Sequence, residues 1–229
     1  MDREAGRVAG PAEAVADQLA LAIHEHRLVP GTKLSEDDVG EVFGVSRTVV
    51  RAALQRLGHE RLITLKRNKG AFVAQPTVRE AREVFEARAL LEPRTARSAA
   101  ERAGPAEVAR LRELIDEEHR AIADNHPGRA LRQSGLFHLE IARIADQDTI
   151  AEFIGQLIAR SSLIIALYWR RRNALCESHA HHALLNALAD RDGEGAEQMM
   201  KGHLLDLVSS LDLRSLPSAP RSLREALGA

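Results

Sequence analysis

The chain has 229 residues, a net charge of −1 and 45% hydrophobic residues, only 3% of the whole being aromatic. That length suits one large or two small domains, and scarce aromatics beside abundant Ala, Leu, Arg and Glu favour a mostly helical chain with an aliphatic core. The single cysteine, Cys176, excludes a disulfide framework and a cysteine-rich zinc site, while a polar N-terminus and a longest apolar run of only Ser161 to Trp169 argue against a signal peptide or a membrane span. A cytoplasmic protein with no membrane partner is expected.

In chain order, residues 1–10 read as a flexible start. Pro11 to Arg27 reads as a helix with Val15, Leu19, Ala22 and Ile23 on one face. Leu28 to Gly31 is a turn. The stretch Leu34 to Arg56 then reads as two short helices joined tightly. Ser35 is an N-cap candidate, with Glu36 and Asp37 in the positive first turn and Val39, Val42 and Phe43 as the apolar face. Gly44 ends this helix, because glycine takes the left-handed C′ conformation without steric cost. Ser46 caps the second helix, whose stripe is Val49, Val50, Ala53, Leu54 and Leu57. Arg47, Thr48 and Arg51 face away from that stripe, as in a helix-turn-helix whose second helix reads base edges in the major groove. Leu62 to Val73 reads as strand, basic turn, strand, a wing with Lys66, Arg67, Lys69 and Gly70 at its tip. Between residues 42 and 75, seven basic residues (Arg47, Arg51, Arg56, Arg61, Lys66, Arg67, Lys69) stand against one acid, Glu60. Inside a nearly neutral chain, that is a phosphate-binding footprint.

From Thr77, a cap candidate, the pattern is helical throughout. The spacing predicts helices over about 77–103, 105–125, 128–146, 148–173, 175–191 and 194–213, with Pro93 expected to kink or break the first. The domain division expected is a flexible 1–10, a DNA-binding 11–76, an all-helical 77–213 and a loose tail 214–229. The fold class is mostly α: an N-terminal winged helix-turn-helix with a small β-hairpin wing, then a C-terminal helical bundle.

The residues PGTKLSEDDVGEVFGVSRTVVRAALQRLGHERLI, followed by NKGAFV, resemble the signature of the GntR family of winged-helix transcription regulators. Val49 stands where the family usually has Pro, Ala52 where it has Glu, and Arg61 where it has Gly. The last departure is uncomfortable if the bend needs positive φ. The resemblance implies a double-stranded DNA operator, a homodimer reading two half-sites, and DNA contacts from Ser35, Ser46, Arg47, Thr48, Arg51, Lys66, Arg67, Lys69 and Gly70. Asp37 departs from FadR-branch members that place an arginine there, so the first helix of the motif should contribute less.

Residues 80–212 resemble the FCD domain, the helical ligand-binding module of the FadR branch, through EARALLEPRTARSAAERA, FHLEIA, HHALLNALADRD and MMKGHL. The resemblance places His138, His181 and His203 on the metal-ligand positions, with Ser134 where the family has an aspartate. Three neutral imidazoles suit zinc, nickel or another divalent transition metal, with an open position left over. A hydroxyl in place of the aspartate predicts weaker metal binding. Arg88 falls on the family arginine of the first helix and could offer a planar fork to a carboxylate, or pair with Glu92 one turn on. Arg88, Ser134 and the three histidines are thus candidates for binding a small carboxylate effector. Of the other seven histidines, His24, His26, His59, His119 and His126 read as solvated and His179 and His182 fall on other faces than His181, while Arg143 and Arg170 to Arg172 could add charge nearby. The expected function is a ligand-responsive DNA-binding regulator, a repressor released by a small organic acid, and not an enzyme. The rivals are a metal-dependent hydrolase using the histidine trio and a ligandless DNA-binding protein.

Overall fold

The computed structural model describes residues 10–169 and 175–214, with the side chains of 175–178 outside that description. The expectations for Cys176, for Arg170 to Arg172, for residues 1–9 and for the tail beyond 214 lie outside the described residues. The described chain forms two compact units, meeting in sequence at Ala74 and Gln75.

The first unit runs α1 (Pro11–His24), β1 (Lys33–Leu34), α2 (Glu36–Phe43), α3 (Arg47–His59), β2 (Ile63–Lys66) and β3 (Gly70–Val73). α1 ends three residues earlier than its periodicity suggested, because His26 turns the chain with a φ of 55°. Leu19, Ile23, Leu28, Leu34, Val39, Val50, Leu57 and Val73 are its buried aliphatic core. The expected two-stranded wing is the larger part of a three-stranded antiparallel sheet, order β1-β3-β2. β1 is only two residues long, and Lys33 and Leu34 pair with Phe72 and Ala71. A strand that short carries no period to read.

The helix-turn-helix has the expected joints. Ser35 and Ser46 accept from the backbone N–H groups of Asp38 and Val49, each at 3.5 Å. Gly44 sits at φ 64° between the helices. After α3, Arg61 takes φ 58°, and the Arg61 and Leu62 amides close back on the Gly58 and Leu57 carbonyls at 3.1 and 3.0 Å. The bend does require the left-handed region. Arg61→Gly should therefore raise stability by about 0.5–1 kcal/mol, since the left-handed cost of roughly 1–2 kcal/mol exceeds the chain entropy that glycine adds to the unfolded state. The urea midpoint reads this out; an unchanged or lower midpoint would mean that the Arg61 side chain compensates.

The second unit comprises α4 (Val78–Arg102), α5 (Pro105–Ala123), α6 (Pro127–Ile144), α7 (Asp148–Tyr168), α8 (Leu175–Ala189) and α9 (Gly193–Ser209). Thr77 caps α4 in a reciprocal box with Glu80, whose carboxylate accepts from the Thr77 amide at 2.8 Å. Pro93 does not break this helix. It is buried within α4, which runs on to Arg102. Its missing N–H costs one intrahelical bond, and burial of Thr95, Ala96, Ala99 and Ala100 holds the turns beyond it. One core cluster joins Ala96, Leu111, Ile115, Phe137, Ile141, Leu185, Met200 and Leu204, from α4, α5, α6, α8 and α9. A second joins Ala81, Val84 and Phe85 of α4 to Ile164, Ile165 and Tyr168 of α7 and Leu207 of α9. By length and composition alone α7 could cross a membrane, a match that the nine-residue run Ser161–Trp169 did not foretell; in this fold Ile154 and Leu163 to Ile165 are buried in the bundle.

Candidate functional site

Five helices bring charged or titratable side chains to one buried place. Arg88 and Glu92 come from α4, Glu118 from α5, His138 from α6, His181 from α8 and His203 from α9. His181 is fully buried, His138 is 3% exposed and His203 5% exposed. One ring nitrogen from each of the three lies within 4.8 Å of the others. Ser134 is buried on α6, one turn before His138.

Each ring's orientation has an identifiable cause. The Glu92 carboxylate accepts from His138 Nδ1 at 2.6 Å, and Glu118 accepts from His181 Nδ1 at 2.8 Å. A carboxylate on Nδ1 fixes the Nδ1–H tautomer and leaves the Nε2 lone pair for something else. For His138 that nitrogen lies 3.1 Å from His203 Nε2. Two nitrogens bound to one zinc at about 2.0–2.1 Å stand about 3.3 Å apart in a tetrahedron, so this separation fits a shared ion as well as an N–H···N hydrogen bond. His181 Nε2 is buried with no hydrogen-bond partner. A buried orphan nitrogen beside two others is a ligand set with a common focus, and these residues fit a divalent transition metal.

Electrostatics support neutral imidazoles at His138 and His203. Burial lowers the pKa of His138, opposed by Glu92, and burial together with the neighbouring histidines takes His203 well below its ordinary value. Burial pushes the Glu92 carboxyl up, but the Arg88 charge, helped by His138, outweighs it and brings it down to about 2. Arg88 donates from Nε and, at 3.3 Å, from Nη2 to the two Glu92 oxygens. Of the two partners considered for its fork, the structure gives it Glu92.

Other expectations need correcting. Glu118 was missed, although it continues the buried stripe Leu111, Leu114, Ile115 at helical spacing. His119 is not simply solvated: its ring stacks on His182 with centroids 5.1 Å apart, and its Nε2 is buried. Arg143 pairs with Glu140 at 3.4 Å on the exposed face of α6 and adds no charge to the trio.

In the first unit, Arg47, Thr48 and Arg51 are exposed on α3, and Lys66, Arg67, Lys69 and Gly70 are exposed at the wing. The wing turn closes from the Lys69 amide to the Lys66 carbonyl at 3.0 Å, and Lys66 Nζ sits 4.9 Å from the centre of the Phe72 ring. The basic footprint is less bare than the local count implied. Arg47 Nη2 meets Asp37 at 2.8 Å, Arg51 Nε meets both Glu36 oxygens at 3.0 and 2.8 Å, and Arg56 joins Asp17 and Glu60. All of these acids except Glu60 lie outside the 42–75 window and fold back onto it.

A winged helix-turn-helix joined to a helical unit with a buried polar centre defines a class, the DNA-binding transcription regulators. Comparison makes the class specific. Residues 11–73 match the model for bacterial regulatory proteins of the gntR family, and residues 83–206 match the FCD domain. The galactonate operon transcriptional repressor of Escherichia coli K12 is 30% identical over 207 residues, covering 79% of this chain and 87% of its own. The Nta operon transcriptional regulator of Aminobacter aminovorans is 27% identical, covering 76% and 82%. Among solved structures, E. coli McbR/YncC superposes with a TM-score of 0.77 at 22% identity, covering 88% of this chain and 97% of that one. A GntR transcriptional regulator from Rhodococcus sp. RHA1 gives 0.76 at 26% identity, covering 86% and 95%. The chain belongs to the GntR family, in the group that carries an FCD domain, and is a transcription regulator rather than a hydrolase.

Proposed function

We propose that this regulator is a homodimeric repressor whose helical unit holds one divalent transition metal, zinc or nickel, through His138, His181 and His203, and releases its operator when a small carboxylate binds there. The observation that carries the reading is the buried focus of three ring nitrogens, two of them oriented by carboxylates on the far side of the ring. When bound, such an ion supplies a Lewis-acidic centre with open positions for an anionic oxygen. The chain's own residues do the rest. Glu92 and Glu118 hold two rings in the ligating tautomer, Arg88 holds Glu92, and Ser134 offers a hydroxyl one turn from His138. The galactonate repressor carries the name of a sugar acid, and a sugar acid has the carboxylate and adjacent hydroxyl that such a centre would chelate.

Operator binding falls to Arg47 and Arg51 for bases and phosphates, Thr48 for phosphate or a thymine methyl, Ser35 and Ser46 for phosphates, and Lys66, Arg67, Lys69 and Gly70 at the wing. The acid would act by favouring one arrangement of the helical unit and so shifting the population of DNA-competent dimers. The test is metal content per chain in untagged protein purified without chelator, followed by operator affinity with and without added acid. About one ion per chain is expected for a single three-histidine site. A metal-free protein that takes up no added zinc or nickel would overturn the metal reading, and operator affinity insensitive to every acid that shifts the protein's melting would overturn the switch.

A further inference from the structure

The charges buried around the histidine trio can be counted. Arg88, Glu92 and Glu118 are each at most 4% exposed and all belong to this centre, through Glu92 on His138 and Glu118 on His181. Among the described residues the other buried charged group of the helical unit, Asp212, lies elsewhere, beyond the end of α9, with its amide on the Tyr168 carbonyl and its carboxylate accepting from the Arg214 amide. Among the described residues the ligand set is the three histidines and holds no carboxylate; Glu92 and Glu118 instead meet the Nδ1 side of His138 and His181, and the α6 position one turn before His138 is the neutral Ser134.

Resting on the metal reading above, we propose that this centre is balanced for a chelating acid carrying a single negative charge, and that Glu118 is the residue that sets that number. Among the described residues, two carboxylates, one guanidinium, three imidazoles that are neutral as metal ligands and a dication leave one net positive charge. A buried net charge is costly, and a ligand that cancels it removes that cost. A monocarboxylate with a neighbouring hydroxyl brings one charge and two oxygens. A dicarboxylate leaves the centre negative by one, and among the described residues Arg88 is the only buried arginine or lysine. Among the described residues Glu118 has no arginine or lysine partner comparable to the Arg88 that meets Glu92, so its charge enters the sum uncompensated. Ser134 matters for the same reason, since an aspartate there would make the sum zero before any ligand arrived.

Lactate and hydroxymalonate make the test. They share the 2-hydroxy acid head and differ by a methyl group in one where the other has a second carboxylate. Their affinities for zinc-loaded full-length protein are measured by calorimetry, with zinc stoichiometry measured separately for each variant. The wild type should favour lactate by about tenfold or more, the scale of one uncompensated buried charge partly relieved by solvent. Glu118→Gln keeps an oxygen for His181 Nδ1 but removes the charge, and it should move the ratio by about tenfold toward hydroxymalonate. Adding Ser134→Asp to that variant restores the charge and should restore the preference. A wild type that binds zinc but favours hydroxymalonate, binds neither acid, or keeps its ratio in Glu118→Gln overturns the proposal while leaving the metal reading intact. A wild type that binds no zinc overturns the metal reading and this inference with it.

Discussion

Arg51→Ala should weaken operator binding by about 100-fold, the upper range for losing one well-placed bidentate contact, while leaving stability within about 0.5 kcal/mol of the wild type. The two halves of that expectation have separate causes. Arg51 lies on the exposed face of α3, opposite Val50, Ala53, Leu54 and Leu57, and its side chain is 64% exposed. Its ion pair with Glu36 is therefore a surface pair, worth little to the fold. What the pair does is orient. Both Glu36 oxygens take the Nε–H, so the guanidinium is held by its inner edge and its terminal amines remain for a guanine or a phosphate. A lysine at this position would keep the charge but lose that planar fork. Fluorescence anisotropy with the operator and a urea unfolding curve check the two halves. Binding retained within a few-fold would remove Arg51 from the interface, and a large loss of stability would show that it acts through the fold.

The winged helix was readable because its signals are local. Ser35, Gly44 and Ser46 each act within a few residues, and the α3 stripe repeats at helical spacing, so caps and faces follow from sequence neighbours alone. The wing pair β2 and β3 was readable for the same reason, while β1 was not, since two residues become a strand only by pairing with Phe72 and Ala71 nearly forty positions later. Charge was misjudged in a related way. A window counts sequence neighbours, whereas Arg47 and Arg51 find their acids on α2. Arg61 shows where the residue type itself misleads: the backbone there is left-handed although the side chain is not glycine.

The buried centre was legible only in part. Composition and periodicity alone do not separate His138, His181 and His203 from seven other histidines; the family likeness did that. The carboxylates had a signal of their own. Glu92 and Glu118 sit in phase with buried apolar stripes, Val84, Phe85, Ala96 and Ala99 on α4 and Leu111, Leu114 and Ile115 on α5. A charge in the apolar phase of an amphipathic helix is either exposed by a local distortion or paired inside. Here both are paired inside, each with a histidine from another helix. Sequence can flag such a position, but its partner is set by packing among five helices.

The same logic gives the largest expected stability loss. Arg88→Ala should cost about 3–5 kcal/mol in metal-free protein, because it leaves the Glu92 carboxylate buried without its cation. Side-chain exposure is 5% for Arg88 and 2% for Glu92, so water cannot take over. Arg88 also lies 5.5 Å from the centre of the Phe85 ring, and that packing goes with it. A control separates charge from packing. Glu92→Gln in the Arg88→Ala background keeps an acceptor for His138 Nδ1 and removes the stranded charge, so it should recover most of the loss. The pH dependence follows from the same group. In the wild type Arg88 and His138 hold the Glu92 pKa at about 2 against an ordinary 4.5, so its contribution is present above pH 4.5 and is lost only as pH falls toward 2. Without Arg88, burial dominates and raises that pKa. The variant then takes up a proton as pH falls from 7, and the gap from the wild type narrows well before the wild type itself weakens. Urea unfolding at pH 7 and pH 5 measures this directly. A deficit that is independent of pH, and unrelieved by Glu92→Gln, would mean that Arg88 stabilises by filling space over Phe85 rather than by holding the carboxylate that orients His138.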